Sequence, residues 1–154
     1  MTNQERWARN DRLLGALVRR APFEGTTKRL ESAGWNPLVV ETRRGAARQL
    51  WLRSRGLSWT KRSKHQDGRA MDIISADHPW PRTPLAFMVE LAFSAREEGL
   101  QTGIFWGVHE YDRTYMERVL MHGTRQELIR AITNGGHGLD PCHCEEKGYK
   151  CEFS

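Results

Sequence analysis

Ser63-Lys-His65-Gln-Asp67-Gly68-Arg-Ala70-Met71-Asp72 places an imidazole and a carboxylate seven residues apart, on either side of an Asp-Gly pair. Asp-Gly is a favoured two-residue hairpin turn, because both residues tolerate the positive φ that such a turn requires. A turn at Asp67-Gly68 sets Gln66 opposite Arg69, His65 opposite Ala70 and Ser63 opposite Asp72. Side chains alternate along a strand, so Ser63, His65, Ala70 and Asp72 share one face. Met71 and Ile73 take the other face, where a core wants them. His65 and Asp72 become diagonal neighbours, roughly 7–8 Å apart at the backbone, and the small Ala70 leaves room between them. Two side chains reaching inward from there can share one metal ion. The hairpin therefore predicts two ligands of a zinc site and calls for a third.

The third is sought near the C-terminus, in Gly138-Leu-Asp140-Pro-Cys142-His143-Cys144-Glu145. His143 brings a second imidazole, and Asp140 a carboxylate that need not bind metal. A catalytic zinc site typically has three protein ligands and an open fourth position. A nearby carboxylate then serves as proton acceptor for an acidified water. In a regular strand Asp140 and His143 point to opposite faces, so this chemistry requires a bend, for which Gly138 and Pro141 are suited. His109 and His137 are the alternative third ligands. His78, before Pro79, and His122, in a polar helical stretch, read as surface residues.

Ser-x-His-x-x-Gly-x-Ala-x-Asp followed by Asp-x-x-His-x-Glu resembles the zinc D,D-peptidase superfamily, and within it the L-alanyl-D-glutamate peptidases of phage endolysins, with the VanY-type carboxypeptidases as cousins. The resemblance implies that His65, Asp72 and His143 hold Zn2+ and that Asp140 is the general base. Upstream, Val39-Val-Glu41-Thr-Arg-Arg44-Gly-Ala-Ala-Arg48-Gln49 is similar to the family's strand-then-helix segment. It gives Arg44 a double role, contacting substrate and stabilising developing negative charge; Ser63 and Gln49 join it as substrate-binding candidates. The resemblance spans residues 36–107 and 138–146. It implies a zinc endopeptidase that cleaves the peptidoglycan stem peptide, acting as an endolysin in bacterial lysis. A D-alanyl-D-alanine carboxypeptidase on the same site is the alternative. The chain departs from the family in having Cys144 where an aromatic residue commonly follows the last His, and in the long stretch from His109 to His137.

Cys142, Cys144 and Cys151 crowd the C-terminal end and no other cysteine occurs. An odd number argues against a disulfide framework. Cys142, His143, Cys144 and Cys151 make a rival ligand set for a structural zinc, which would make the chain a basic, zinc-stabilised binding module without enzymatic activity. On the catalytic reading Cys142 and Cys144 flank His143 on a strand and point away from the metal.

At 154 residues the chain suits one domain with a real core. It has no apolar run long enough to span a bilayer, so no membrane insertion is expected. The N-terminus lacks a basic head followed by an apolar stretch; no signal peptide and a location in the host bacterial cytoplasm, until release to the wall, are the expectation. A net charge of +5 suits an anionic partner. Bacterial peptidoglycan fits, whereas no nucleic-acid-binding signature accompanies the scattered Arg and Lys, so nucleic acid is not expected. The chain is expected to be a monomer.

The order of elements reads as α+β. Helices are expected over residues 4–20 and 24–33, the latter ended by Gly34. A buried strand over Leu38–Thr42 and a helix over Gly45–Arg55 follow. After the hairpin comes a turn-rich loop, His78 to Pro84. Pro84–Glu98 reads as a helix closed by Gly99, with Leu85, Met88, Val89, Ala92 and Phe93 as its core face. Gly103–Trp106 reads as a short strand, and Tyr111–Thr133 as one helix or two, broken near Gly123. Together with the resemblance this implies a single zinc peptidase domain over residues 1–154, of Hedgehog/D,D-peptidase-like form: a small antiparallel sheet flanked by helices. Residues 1–34 form its N-terminal helical segment and residues 108–137 a helical insertion.

Overall fold

The computed structural model describes residues 21–41, 54–55, 70–79, 82–138 and 140–146, and among these, glycines at positive φ close the helices that begin at Ala21 and Leu85. Helix α1 (Ala21–Ser32) ends before Gly34 at φ 91°, and the Trp35 N–H reaches back to the Leu30 carbonyl at 3.0 Å. That bond satisfies one of the carbonyls a helix end leaves free. Helix α2 (Leu85–Glu97) starts after Pro84, whose fixed φ suits a helix entry, and stops before Gly99 at φ 74°. Helices α3 (Glu110–His122) and α4 (Arg125–Gly135) part at Gly123. The Thr124 side chain accepts a hydrogen bond from the Glu127 N–H at 3.2 Å and so starts α4.

Strands β1 (Pro37–Glu41), β2 (Ala70–Ser75), β3 (Leu100–Gly103) and β4 (Asp140–Glu146) form an antiparallel sheet in the order β1-β2-β4-β3. The architecture is α+β, as expected. β4, the last of these strands in sequence, is thus an inner strand, inserted between β2 and β3. Met71 pairs with Cys144, and Cys144 in turn with Thr102; Ala70 pairs with Glu145, and Glu145 with Gln101. Period-two alternation sends Val39, Met71, Ile73, Leu100 and Cys144 to one face, where they pack with Phe23 and Leu30 of α1 and Phe87, Leu91 and Ala95 of α2. Asp72, His143 and Glu145 belong to the opposite parity.

Helix α2 departs from expectation. The face formed by Met88, Val89, Ala92 and Phe93 does pack, against Ile104, Phe105, Met116, Val119, Leu128 and Ile132. A second stripe, Phe87, Leu91 and Ala95, is buried against the sheet. The helix is sandwiched between sheet and α3–α4, so it is apolar nearly all round. The expected strand at Gly103–Trp106 is also corrected. Pairing begins at Leu100 and ends at Gly103, and the chain then turns, with the Trp106 N–H on the Gly103 carbonyl at 3.2 Å.

The expected helices over 4–20 and Gly45–Arg55, the turn at Asp67-Gly68, and Arg44, Gln49, Ser63, His65 and Cys151 lie outside the described residues, apart from residues 54–55 of the second helix. At Asp72 both ladder positions are taken, by Glu41 on β1 and His143 on β4.

Candidate metal centre

Direct cross-strand pairing puts Asp72 beside His143. Asp140 reaches them through an irregularity in β4. In even antiparallel register Gly103 would face His143; instead the pairing jumps from Thr102↔Cys144 to Gly103↔Asp140. The extra residues on β4 form a bulge, which re-aims side chains relative to the strand's alternation. The bulge supplies the bend that the spacing of Asp140 and His143 required. Glycine permits it: a Cβ on Gly103 would collide with the Asp140 backbone oxygen and approach the Trp106 ring to 2.8 Å. Gly138 is confined in the same way by the backbone of Gly103, Ile104 and Trp106, and its N–H binds the Ile104 carbonyl.

One donor atom each from Asp72, Asp140 and His143 lies within 4.8 Å of the other two. His143 Nδ1 stands 3.4 Å from Asp72 Oδ1. Two donors on one tetrahedral zinc, with bonds of about 2.0 Å, are about 3.3 Å apart, so this pair has the separation that a shared ion demands. His143 is buried, Asp72 half-buried and Asp140 exposed, which leaves the centre a solvent side at Asp140. On the far edge of the ring, His143 Nε2 is 2.9 Å from Glu145 Oε1. Trp106 packs on the imidazole at 5.0 Å between centroids and a 45° tilt.

The charges explain the ring's state in the absence of metal. Burial works against a charged imidazole, but the hydrogen-bonded carboxylates of Asp72 and Glu145 and the field of Asp140 outweigh it and push His143 up to about 9. Three carboxylates around one imidazole leave an excess of negative charge even when the ring is protonated. A divalent cation would neutralise that excess, and the carboxylate–imidazole donor set suits zinc.

Among the described residues, Cys142 and Cys144 do not join this group. Cys144 lies in the apolar core, on the face opposite His143, and burial first, then Glu145 and Asp72, raises its thiol. Burial likewise pushes Cys142 up to about 12, aided by Asp140 and Asp72 and opposed by a hydrogen bond from Thr83. Zinc takes thiolates, so the arrangement disfavours Cys142 and Cys144 as ligands; Cys151, the remaining thiol of that rival set, lies outside the described residues. His109 caps α3, accepting the Tyr111 N–H at Nδ1, and His137 Nδ1 lies 2.6 Å from the Gly138 carbonyl. Neither is in the cluster among the described residues.

Two participants were not assigned a role from sequence. Glu145 had a signal: two residues beyond His143 on a strand, it must share its face. Trp106 had none, because it arrives from a turn after β3.

No family model matches the chain, and no curated protein matches it. Among solved structures it is similar to the Serratia marcescens L-Ala D-Glu endopeptidase ChiX, with TM-score 0.46 and 22% identity, over 56% of this chain and 70% of that one.

Proposed function

We propose that the chain is a zinc-dependent peptidase of the bacterial cell wall that cuts the peptidoglycan stem peptide at the L-alanyl-D-glutamate bond. The observation that carries the reading is the convergence of Asp72, Asp140 and His143 on one side of the β2–β4 ladder, at the positions where the motif resemblance implies two ligands and a base. His65, Asp72 and His143 hold the ion. Bound there, zinc supplies Lewis acidity toward water and toward a peptide carbonyl. Asp140, on the solvent side, takes a proton from the attacking water and passes it to the leaving amine. By the resemblance alone, Arg44 has the role of stabilising the developing oxyanion, and Ser63 and Gln49 that of binding substrate. Service as an endolysin, released to the wall by a separate lysis protein, goes with the same resemblance.

The test is turbidity loss of purified, outer-membrane-stripped walls with zinc, with and without a chelator, followed by mass analysis of the products. The expected result is chelator-sensitive clearing with new L-alanine C-termini and D-glutamate N-termini. Free D-alanine would instead identify the carboxypeptidase. No clearing at one equivalent of zinc overturns the proposal. Asp140→Asn should keep its zinc and lose about 10²–10⁴-fold in rate; full clearing by this variant would remove Asp140 as the base.

A further inference from the structure

We infer that Glu145 is a positioning residue for the metal: by holding the Nε2 proton of His143 it directs the Nδ1 lone pair to the ion. The inference rests on the zinc reading of the site. A neutral imidazole has one N–H and one lone pair, and the partner of one nitrogen settles what the other can do. Here the two nitrogens face different groups. Nδ1 points to Asp72 Oδ1 at 3.4 Å, and Nε2 points to Glu145 Oε1 at 2.9 Å. Glu145 therefore sits across the ring from the Asp72–Asp140 side. An ion shared with Asp72 must use Nδ1, and Nε2 must then carry the proton, since a lone pair there would face a carboxylate oxygen.

The carboxylate is itself held. Glu145 is only 5% exposed, and its other oxygen accepts from Gln101 Nε2 at 3.1 Å. Gln101 is its cross-strand partner on β3, and Ala70 its partner on β2. The small Ala70 side chain sits beside the carboxylate, and Gln101 ties it from the other strand. Burying a carboxylate is costly unless it is hydrogen-bonded, and here the bonds run in series from Gln101 to Glu145 to His143. A ring flip would replace Nε2 by a carbon at Glu145 and forfeit that bond, so the ring keeps one orientation. Trp106, packed on the imidazole, restrains it further. A carboxylate on the far nitrogen also raises the basicity of the ligating one.

The test compares the unaltered chain with Glu145→Leu, Glu145→Gln and Gln101→Ala. Affinity for zinc alone is measured by competition with a chromophoric chelator, and the His143 ring nitrogens are followed by 15N NMR of the zinc-loaded protein. The unaltered chain should show Nδ1 metallated and Nε2 protonated. Glu145→Leu should bind zinc about 10- to 100-fold more weakly. Glu145→Gln keeps an acceptor oxygen and should recover part of the loss, and Gln101→Ala should lose less than Glu145→Leu. If Glu145→Leu does not fold, as judged by thermal unfolding of the metal-free chains, the other two variants decide. Lower stability with unchanged zinc affinity, or metal on Nε2, overturns the inference while leaving the zinc site standing. Failure of the unaltered chain to bind zinc overturns the metal reading itself.

Discussion

Gly103 and Asp140 show how much of the site hangs on single positions. The bulge that turns Asp140 toward His143 needs a residue without Cβ opposite it. Gly103→Ala should therefore destabilise the fold by about 1–3 kcal/mol, the usual cost of overpacking. On the proposed function it should also cut wall clearing by more than the loss of folded protein explains; urea unfolding beside the clearing assay checks both. His143 sets a pH dependence whose sign follows from its environment. Its folded-state value of about 9 lies above the roughly 6.5 of an unfolded histidine. The metal-free chain thus has the full contribution of this proton below pH 6.5 and loses it as pH rises through 9. Zinc bound as proposed would compete with the same proton, and its affinity should then rise about tenfold per pH unit toward 9. Urea midpoints of chelator-treated protein should fall between pH 7 and 9, and zinc affinities should climb over the same window. A flat midpoint profile, or one that His143→Gln leaves unchanged, contradicts this assignment.

Helix α2 makes the element-scale point. A single apolar stripe was expected from its sequence, yet it carries two, one on the sheet and one on α3–α4. Leu91, wholly buried, packs on the sheet side, and Leu91→Ala should cost about 2–5 kcal/mol. Thr124→Ala, which removes only the cap of α4, should cost about 1 kcal/mol. Urea denaturation of both variants would show the contrast; comparable losses would mean that α2 is less central than its packing says. The helix ends were legible because Gly34, Gly99 and Gly123-Thr124 act locally. The bounds of β3 were not. Gly103–Trp106 has the apolar run of a strand, but Ile104 and Phe105 are claimed by the core of α3 and α4, while the less apolar Leu100–Gly103 finds the partner β4.

At the scale of the whole molecule, β4 is the piece on which the others wait. It lies between β2 and β3 and brings both His143 and Asp140. A chain stopped at residue 138 leaves β2 and β3 with open edges facing a missing strand. It should lose cooperative thermal unfolding altogether, a loss visible by circular dichroism; a sharp transition in that truncated chain would refute the role given to β4. No helix among the described residues is long and apolar enough to cross a membrane. What the sequence alone determined is what rests on local chemistry: the α+β order of elements and the helix stops, because spacing and turn residues act over a few positions, while Asp72 and Asp-x-x-His stood out as candidates through the motif resemblance. Only the tertiary structure decided what depends on partners distant in the chain. It set Asp72 beside His143 across two strands, bent β4 opposite Gly103 so that Asp140 joins them, and turned Cys144 into the core. It also brought Gln101 to Glu145 and Trp106 to the ring. Each of these is a matter of which strand pairs with which and in what register, and register is settled by burial of a whole face, which no short motif encodes.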